Sequence, residues 1–397
     1  MLKSFRLKNF LSYGPEGEEI SLGELSIFIG PNGSGKSNLI EGIALLQSAP
    51  LLLDTPIREG GGIRDWLWKG TETTPTATLE ALVSNNGNPS AERKIPLRYR
   101  LAFTELGSRF EIVDEGIENA EPYPGEGEPL FYYRYENNRP VLNARDPEDE
   151  KRRTRTLRRE DIDPSRSILA QRQDPDIYPE ITSLAEKFRN IRIYRDWSLG
   201  RFTPPRLPQP ADLPNGRLEE NGRNLGLVLN RLRRDNCAKN TLLQMFRAIY
   251  SEADDFDVMI EGGTVQVFVR EGRFNVPATR LSDGTLRYLC LLAILCDPSP
   301  PPLICIDEPE VGLHPDLINH VADALRLAAE KTQLVVTTHS TDLVDAFTKT
   351  PEVILVCEKS DSRTSLRRLD PAHLRPWLEQ YSLGNLWTSG EIGGNRW

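Results

Sequence analysis

Residues 25–37 read LSIFIGPNGSGKS, an apolar run that enters a glycine-rich loop and ends in Lys36-Ser37. The loop from Gly30 to Ser37 fits the spacing GxxxxGK[ST]. Its glycines let backbone N–H groups turn inward around an anion without a Cβ in the way. The apolar run reads as a strand, and Ser37 to about Leu46 reads as a helix. Strand, loop and helix form the context in which this spacing cradles nucleotide phosphates, and the helix N-terminus adds its dipole. On this reading Asn32, Gly33, Ser34, Gly35, Lys36, Ser37 and Asn38 are the candidate cofactor-binding residues. Lys36 would reach the β- and γ-phosphates and Ser37 would ligate Mg²⁺, so ATP and Mg²⁺ are the expected cofactors. A plain glycine-rich turn is the alternative, and the flanking strand and helix argue against it.

Past residue 280 the pattern becomes regular α/β. TLRYLCLLAIL (285–295) reads as a helix and PLICIDE (302–308) as a strand. PDLINHVADALRLAAEK (315–331) and QLVVTTHS (333–340) repeat the pair, and EVILVCEK (352–359) adds another strand. Such alternation predicts a largely parallel sheet with crossover helices. The strand before the phosphate loop must join this sheet, because one strand and one helix cannot bury both faces. The strand 302–308 ends in Asp307-Glu308, a pair suited to phosphoryl transfer. Asp307 would bind Mg²⁺, and Glu308 would orient or deprotonate the attacking water. Leu281-Ser282-Asp283-Gly284 precedes a helix, where a serine is also an ordinary N-cap. His339 closes the strand 333–340 and could equally cap the next helix.

The middle of the chain differs. Residues 75–145 are rich in alternating β-prone runs and predict an antiparallel meander, with the acidic DEGIENAEPYPGEGEP (114–129) as solvated turns. Residues 146–163 are dense in charge and predict a linker or exposed helix. A helix near Pro179–Arg189, the strand NIRIYRDW, the proline-rich connector FTPPRLPQPADLP (202–214) and two helices between about 223 and 250 follow. FDVMIEGGTVQVFVRE (256–271) reads as a hairpin turning at its glycines. The expected domains are an N-terminal lobe over 1–145, a charged linker and helical insert over 146–255, a C-terminal lobe over 256–358 and a tail over 359–397.

Hydrophobic residues make up 38% of the 397 and charged residues 27%, an ordinary globular balance. No apolar run reaches the ~18 residues of a membrane span, and the opening MLKSFRLKNF has no apolar signal region, so a cytoplasmic protein is expected. The five cysteines form no CxxC pair, and Cys290, Cys296, Cys305 and Cys357 sit in apolar stretches, as buried small hydrophobes would. A net charge of −9 neither requires nor forbids nucleic acid, which would need a local basic patch. The dense cluster at Lys151, Arg152, Arg153, Arg155, Arg158 and Arg159 is the candidate, against a plainly solvated linker.

In their order, the four motifs resemble those of ABC-type ATPases of the RecF, SMC and OLD group. The resemblance is strongest to compact bacterial AAA-family ATPases that share EPEVGLHP after the acidic strand. The opening LKNFLSYG and the ending LGNLWTSGEIGG extend it. The fold implied is a P-loop NTPase with an ABC-type head, an antiparallel β-meander subdomain and an inserted helical lobe. The resemblance implies that Ser282 and Gly284 contact ATP held by a second copy, making a homodimer around shared ATP sites. It implies that His339 is the switch histidine, catalytic with Glu308 and Lys36, and it places His314 in a subunit-contacting loop without a catalytic role. Gln171 is the choice for the nucleotide-sensing glutamine, with Gln47 and Gln173 as rivals. Arg64 reads as a phosphate-reaching arginine or, preferably, as one side of a surface salt bridge. The group's long coiled coils are missing here, and a C-terminal TOPRIM nuclease domain is not expected.

The expected function is ATP hydrolysis that gates a nucleic-acid-directed activity with DNA as a possible ligand, and the resemblance implies a place in anti-phage defence with a separate nuclease or TOPRIM-type partner. A RecF-like DNA maintenance ATPase is the alternative. A transporter subunit fits poorly, because 246 positions separate Lys36 from Ser282, far more than in transporter ATPases.

Overall fold

The computed structural model describes residues 1–85, 95–136, 139–146, 152–195 and 197–394. The chain forms two compact units. The first comprises Met1–Gly23, Gly30–Ile191 and Cys357–Arg367, and the second Glu24–Ile29, Arg192–Val356 and Arg368–Trp397.

The first unit opens with β1 (Leu2–Lys8) and β2 (Glu18–Ser21). After β3 (Leu25–Ile29), a strand of the second unit, come α1 (Lys36–Ser48), α2 (Asp54–Glu59) and α3 (Ile63–Trp66). Then follow β4 (Ala77–Val83), β5 (Leu97–Leu106), β6 (Arg109–Asn119), β7 (Phe131–Glu136), β8 (Arg139–Arg145) and β9 (Arg152–Thr156). They make one eight-stranded antiparallel sheet in the order β2-β1-β4-β5-β6-β7-β8-β9. Alternate burial along β4 marks the face that packs on the core. α4 (Ile168–Gln171) and α5 (Pro179–Arg189) complete the unit. Pro179 starts α5, where its missing N–H costs nothing. Gly42 lets α1 lie against β1, because a Cβ there would come within 2.9 Å of Phe5.

The expected meander is present and larger than its sequence pattern, and two segments depart from expectation. Residues 114–119 are not a solvated turn: they form the end of β6, with Glu115 and Asn119 buried. Residues 152–156 are neither linker nor helix but the edge strand β9, paired from Val141↔Thr156 to Arg145↔Arg152. Its charges are accommodated at the edge, where Arg152 lies 4.8 Å over the Tyr132 ring and pairs with Glu180, and Arg153 pairs with Asp146. Lys151 lies outside the described residues.

The second unit holds the parallel sheet. β3, β10 (Arg192–Tyr194), β15 (Leu303–Asp307), β16 (Gln333–Thr337) and β17 (Ile354–Ser360) lie in the order β10-β15-β16-β3-β17. The strand before the phosphate loop thus joins the sheet, between β16 and β17. A smaller antiparallel sheet combines β11 (Gln209–Pro210), β12 (Asp255–Glu261), β13 (Thr264–Glu271) and β14 (Phe274–Pro277). Gly262 and Gly263 turn β12 into β13 with φ of 57° and 78°, the two positive values a type I′ turn requires. α6 (Leu225–Leu232), α7 (Asn236–Arg247), α8 (Asp283–Leu295), α9 (Ile318–Ala329) and α10 (Thr341–Ala346) surround a single core cluster. Asp235 caps α7 through the N–H groups of Cys237 and Ala238. β18 (Arg363–Arg368), which up to Arg367 belongs to the first unit together with the end of β17 from Cys357 on, pairs with β17, and α11 (Pro371–Leu378) and α12 (Leu383–Ser389) follow in the second unit. Cys290, Cys296, Cys305 and Cys357 are buried and unbridged, as expected, and burial pushes the Cys290 thiol up to about 12.

Candidate functional site

In the first unit the phosphate loop is clamped by residues far from it in sequence. Gly30, Gly33 and Gly35 have φ of 149°, 78° and 106°. A Cβ at Gly35 would lie 2.2 Å from Thr364 Oγ1 and 2.7 Å from Ser12 Oγ, and one at Gly30 would lie 2.2 Å from the Cys357 carbonyl oxygen. Gly33 instead faces open space. Thr364 Oγ1 lies 2.7 Å from both Ser34 O and Ser12 Oγ. Asn38 Nδ2 donates to Ser12 Oγ at 2.7 Å, and Tyr13 Oη to Gly35 O at 3.1 Å. Lys36, the first residue of α1, lays its ammonium across the loop and donates to Gly30 O at 2.8 Å and Pro31 O at 3.1 Å. Ser37 is exposed beside it. The buried Ser34 hydroxyl has no partner among the described residues. A helix start with positive-φ glycines, an ammonium and an unsatisfied hydroxyl is a donor set that fits phosphate oxygens.

In the second unit the carboxyl ends of adjacent strands bring the acidic pair and the histidine together. Asp307 stands opposite Thr337 in the β15–β16 register, and the Thr337 hydroxyl donates to its carboxylate. Glu308 adopts φ of 47°, a left-handed value that costs a non-glycine residue roughly 1–2 kcal/mol. Its N–H donates to Thr337 O at 3.1 Å, and its carboxylate lies 3.3 Å from His339 Nε2. Ser340, rather than His339, caps α10. Asp307 and Glu308 line a cavity of about 430 Å³ with Arg195, Trp197 and Arg287. A larger cavity of about 920 Å³, near Arg192 and Arg217, contains no motif residue, so chemistry rather than size identifies the site.

Two contributors to this end of the sheet escaped the sequence reading. Glu310 accepts hydrogen bonds from Thr338 Oγ1 at 2.6 Å and from the His339 N–H at 2.9 Å, fixing the backbone that carries the histidine. Burial pushes its carboxyl above the usual range, against those two hydrogen bonds. Arg287 donates to the Glu308 carbonyl at 2.8 Å and lies 5.2 Å over the Trp197 ring. Glu310 sits in the segment EPEVGLHP, but neither it nor Arg287 follows a local pattern.

Ser282 caps α8 by accepting from the Thr285 N–H at 3.1 Å, and it remains exposed. A Cβ at Gly284 would lie 2.9 Å from Gly312 O, so close backbone approach requires a glycine at this position. His314 begins the short turn before α9 and sits beside Asp316. The glutamine candidates all have side-chain partners. Gln171, at the end of α4, donates to Asp163 O and Arg166 O and accepts from the Asp163 N–H. Gln47 donates to Ile191 O, and Gln173 to Leu169 O. Arg64 makes the surface pair with Glu105 at 2.8 Å, the preferred reading of that residue.

A family model described as "AAA domain, putative AbiEii toxin, Type IV TA system" matches residues 25–345, well over half of the chain. None of the curated proteins compared with this chain matches it. Among solved structures, an Smc head bound to the C-winged helix domain of ScpA is 15% identical with a TM-score of 0.59, covering 94% of this chain and 99% of that one. A second Smc head, bound to the C-terminal domain of ScpA and derived from Pyrococcus furiosus, is 13% identical with a TM-score of 0.58, covering 96% and 98%. A third, derived from Pyrococcus yayanosii, is 12% identical with a TM-score of 0.53, covering 96% and 99%. These likenesses show the ABC-type head fold over nearly the whole chain.

Proposed function

We propose that this chain, which belongs to the AAA-domain family whose model spans residues 25–345, hydrolyses ATP as a homodimer to gate a nucleic-acid-directed activity. The observation that carries the hydrolytic reading is Glu308, held at φ of 47° beside Asp307 with its carboxylate 3.3 Å from His339. Backbone strain of this kind persists where the surroundings over-determine it, and it clusters at functional sites.

Lys36 and the loop N–H groups bind the β- and γ-phosphates. Ser37 and Asp307 are the metal ligands, and Mg²⁺ when bound neutralises phosphate charge. Glu308, oriented by His339, takes the proton of the attacking water. Ser282 and Gly284 act on the nucleotide of the second copy. Because Gln171 bonds to its own loop, its role as sensing glutamine requires release of those bonds.

The biological reading is bacterial defence with a separate nuclease or TOPRIM-type partner. Its supports are the family description, which names a toxin of a type IV toxin–antitoxin system, and the Smc heads bound to a separate protein, ScpA. Among the described residues no helix is long and apolar enough to cross a membrane, which agrees with the cytoplasmic reading.

Replacing Glu308 by Gln tests the proposal. ATP binding is retained, since Lys36, Ser37 and Asp307 are untouched, and turnover falls by at least ~100-fold. Unchanged turnover removes Glu308 from the role and, with it, the hydrolytic mechanism.

A further inference from the structure

The proline-rich connector contributes an arginine that no nucleotide motif contains. Arg206 is only 4% exposed. Its Nε and Nη2 donate to Leu199 O at 3.2 and 3.1 Å. Its Nη1 donates to Ala278 O at 3.2 Å and Leu281 O at 2.5 Å, and Nη2 meets Asp283 Oδ1 at 2.5 Å. One planar guanidinium thus ties the connector turn 199–206 to both the approach and the first helical residue of Leu281–Gly284, the signature loop of the proposed shared site. Its rigid fork is suited to this, whereas a lysine ammonium is not.

Burying such a charge is costly, and the Asp283 carboxylate that partners it is 71% exposed, so the pair is a weak source of stability. Its geometric effect is specific. Ser282 lies between Leu281 and Asp283, both gripped by Arg206, while its own hydroxyl caps α8. Gly284 is held against Gly312 on the other side. The exposed serine is therefore presented from a loop fixed at each neighbour, and the hydrogen bonds of Arg206 go to those neighbours.

We infer that Arg206 is a positioning residue for the signature loop, acting on the nucleotide of the partner subunit and not on that of its own chain. This rests on the shared-site homodimer proposed above. The expected behaviour of an Arg206→Met chain is ATP binding unchanged within about twofold, because its own phosphate loop is intact, with turnover reduced at least ~10-fold.

The decisive test is complementation by subunit mixing, under conditions where chains exchange. The reference pair, Lys36→Ala with Ser282→Arg, yields one intact site per heterodimer and about a quarter of wild-type turnover in an equal mixture. Arg206→Met with Lys36→Ala restores a similar level, because the Lys36→Ala chain supplies an intact signature loop. Arg206→Met with Ser282→Arg restores nothing, because both chains carry a defective loop. Asp283→Asn, which removes the ion pair and leaves the carbonyl bonds, shows the same pattern with a smaller loss.

If the reference pair complements while Arg206→Met complements Ser282→Arg, or complements neither chain, the inference is overturned. Arg206 then acts in its own site or on the fold as a whole. If the reference pair itself fails, the shared-site reading falls and takes this inference with it.

Discussion

Replacing Glu115 by Gln should change how stability depends on pH, by an amount the structure specifies. Glu115 is 2% exposed in β6, and it accepts from Tyr99 Oη at 2.7 Å, Ser167 Oγ at 2.5 Å and the Ile168 N–H at 2.8 Å. Burial outweighs these three bonds and, with the nearby Asp114 charge, raises its pKa from 4.5 to about 7. The folded state therefore holds this proton more tightly than the unfolded chain does. The stabilising contribution is fully present below pH 4.5, is lost as pH rises towards 7, and is level above that. A rise of this size corresponds to about 3 kcal/mol. Glutamine has nearly the same shape and does not titrate. Its carbonyl can accept from Ile168 and its amide can donate to Tyr99 or Ser167. Burial pushes the Tyr99 hydroxyl well above its usual range, so it stays neutral throughout. Between pH 5 and pH 8 the variant should gain on wild type by about 2–3 kcal/mol. Hydrogen exchange of the β5 and β6 amides reports opening of this unit, and the variant-to-wild-type ratio at each pH cancels intrinsic exchange. That ratio of protection factors should change by roughly 50- to 100-fold across the range. A ratio constant within threefold would mean that Glu115 is ionised throughout and that its three donors, not burial, set its charge.

Further expectations concern the phosphate loop, the start of α8 and the sheet edge. Gly35→Ala forces a Cβ to 2.2 Å from Thr364 Oγ1 at φ of 106°, so the loop must distort at a cost of at least ~2 kcal/mol; calorimetric ATP titration should show at least a tenfold loss of affinity, and unchanged affinity would contradict the clamp. Gly284→Ala pushes against Gly312 O at 2.9 Å and should lower turnover while leaving ATP binding to the single chain intact, as equilibrium binding and steady-state rates would show together. Arg153 and Arg155, on the exposed strand β9, are the charges to reverse in testing DNA contact, since Arg152 is largely buried in its pair with Glu180, whereas Arg153 stays 74% exposed beside Asp146. If β9 tracks phosphates, Arg153→Glu with Arg155→Glu should reduce the slope of log affinity against log salt by about two, with basal ATP hydrolysis unchanged. Equal slopes for both proteins would leave DNA contact to a partner.

The sequence by itself determined the phosphate loop, the acidic strand end and the parallel character of the second unit's sheet. These are legible because their causes are local. The glycine spacing sets backbone angles over eight residues, and unbroken apolar runs such as LICI can satisfy burial on both faces only inside a covered sheet. The helix start at Pro179 is local for the same reason, since a proline acts within the first turn. The basic run 152–156 misled because its charges outweighed its alternation, and its pairing with β8 depends on an edge supplied by another strand. DEGIEN misled likewise: its composition suggests solvent, and the sheet buries Glu115 only because Tyr99, Ser167 and Ile168 arrive from elsewhere to meet it. Only the tertiary structure decided that Ser12 and Thr364 grip the phosphate loop, that Glu310 holds the histidine backbone and that Arg206 grips the signature loop. Each is a contact between residues distant in the chain, made through one hydroxyl, carboxylate or guanidinium. No periodicity announces such a partner, because the hydrogen bond that selects it exists only after the sheets have brought the two segments together.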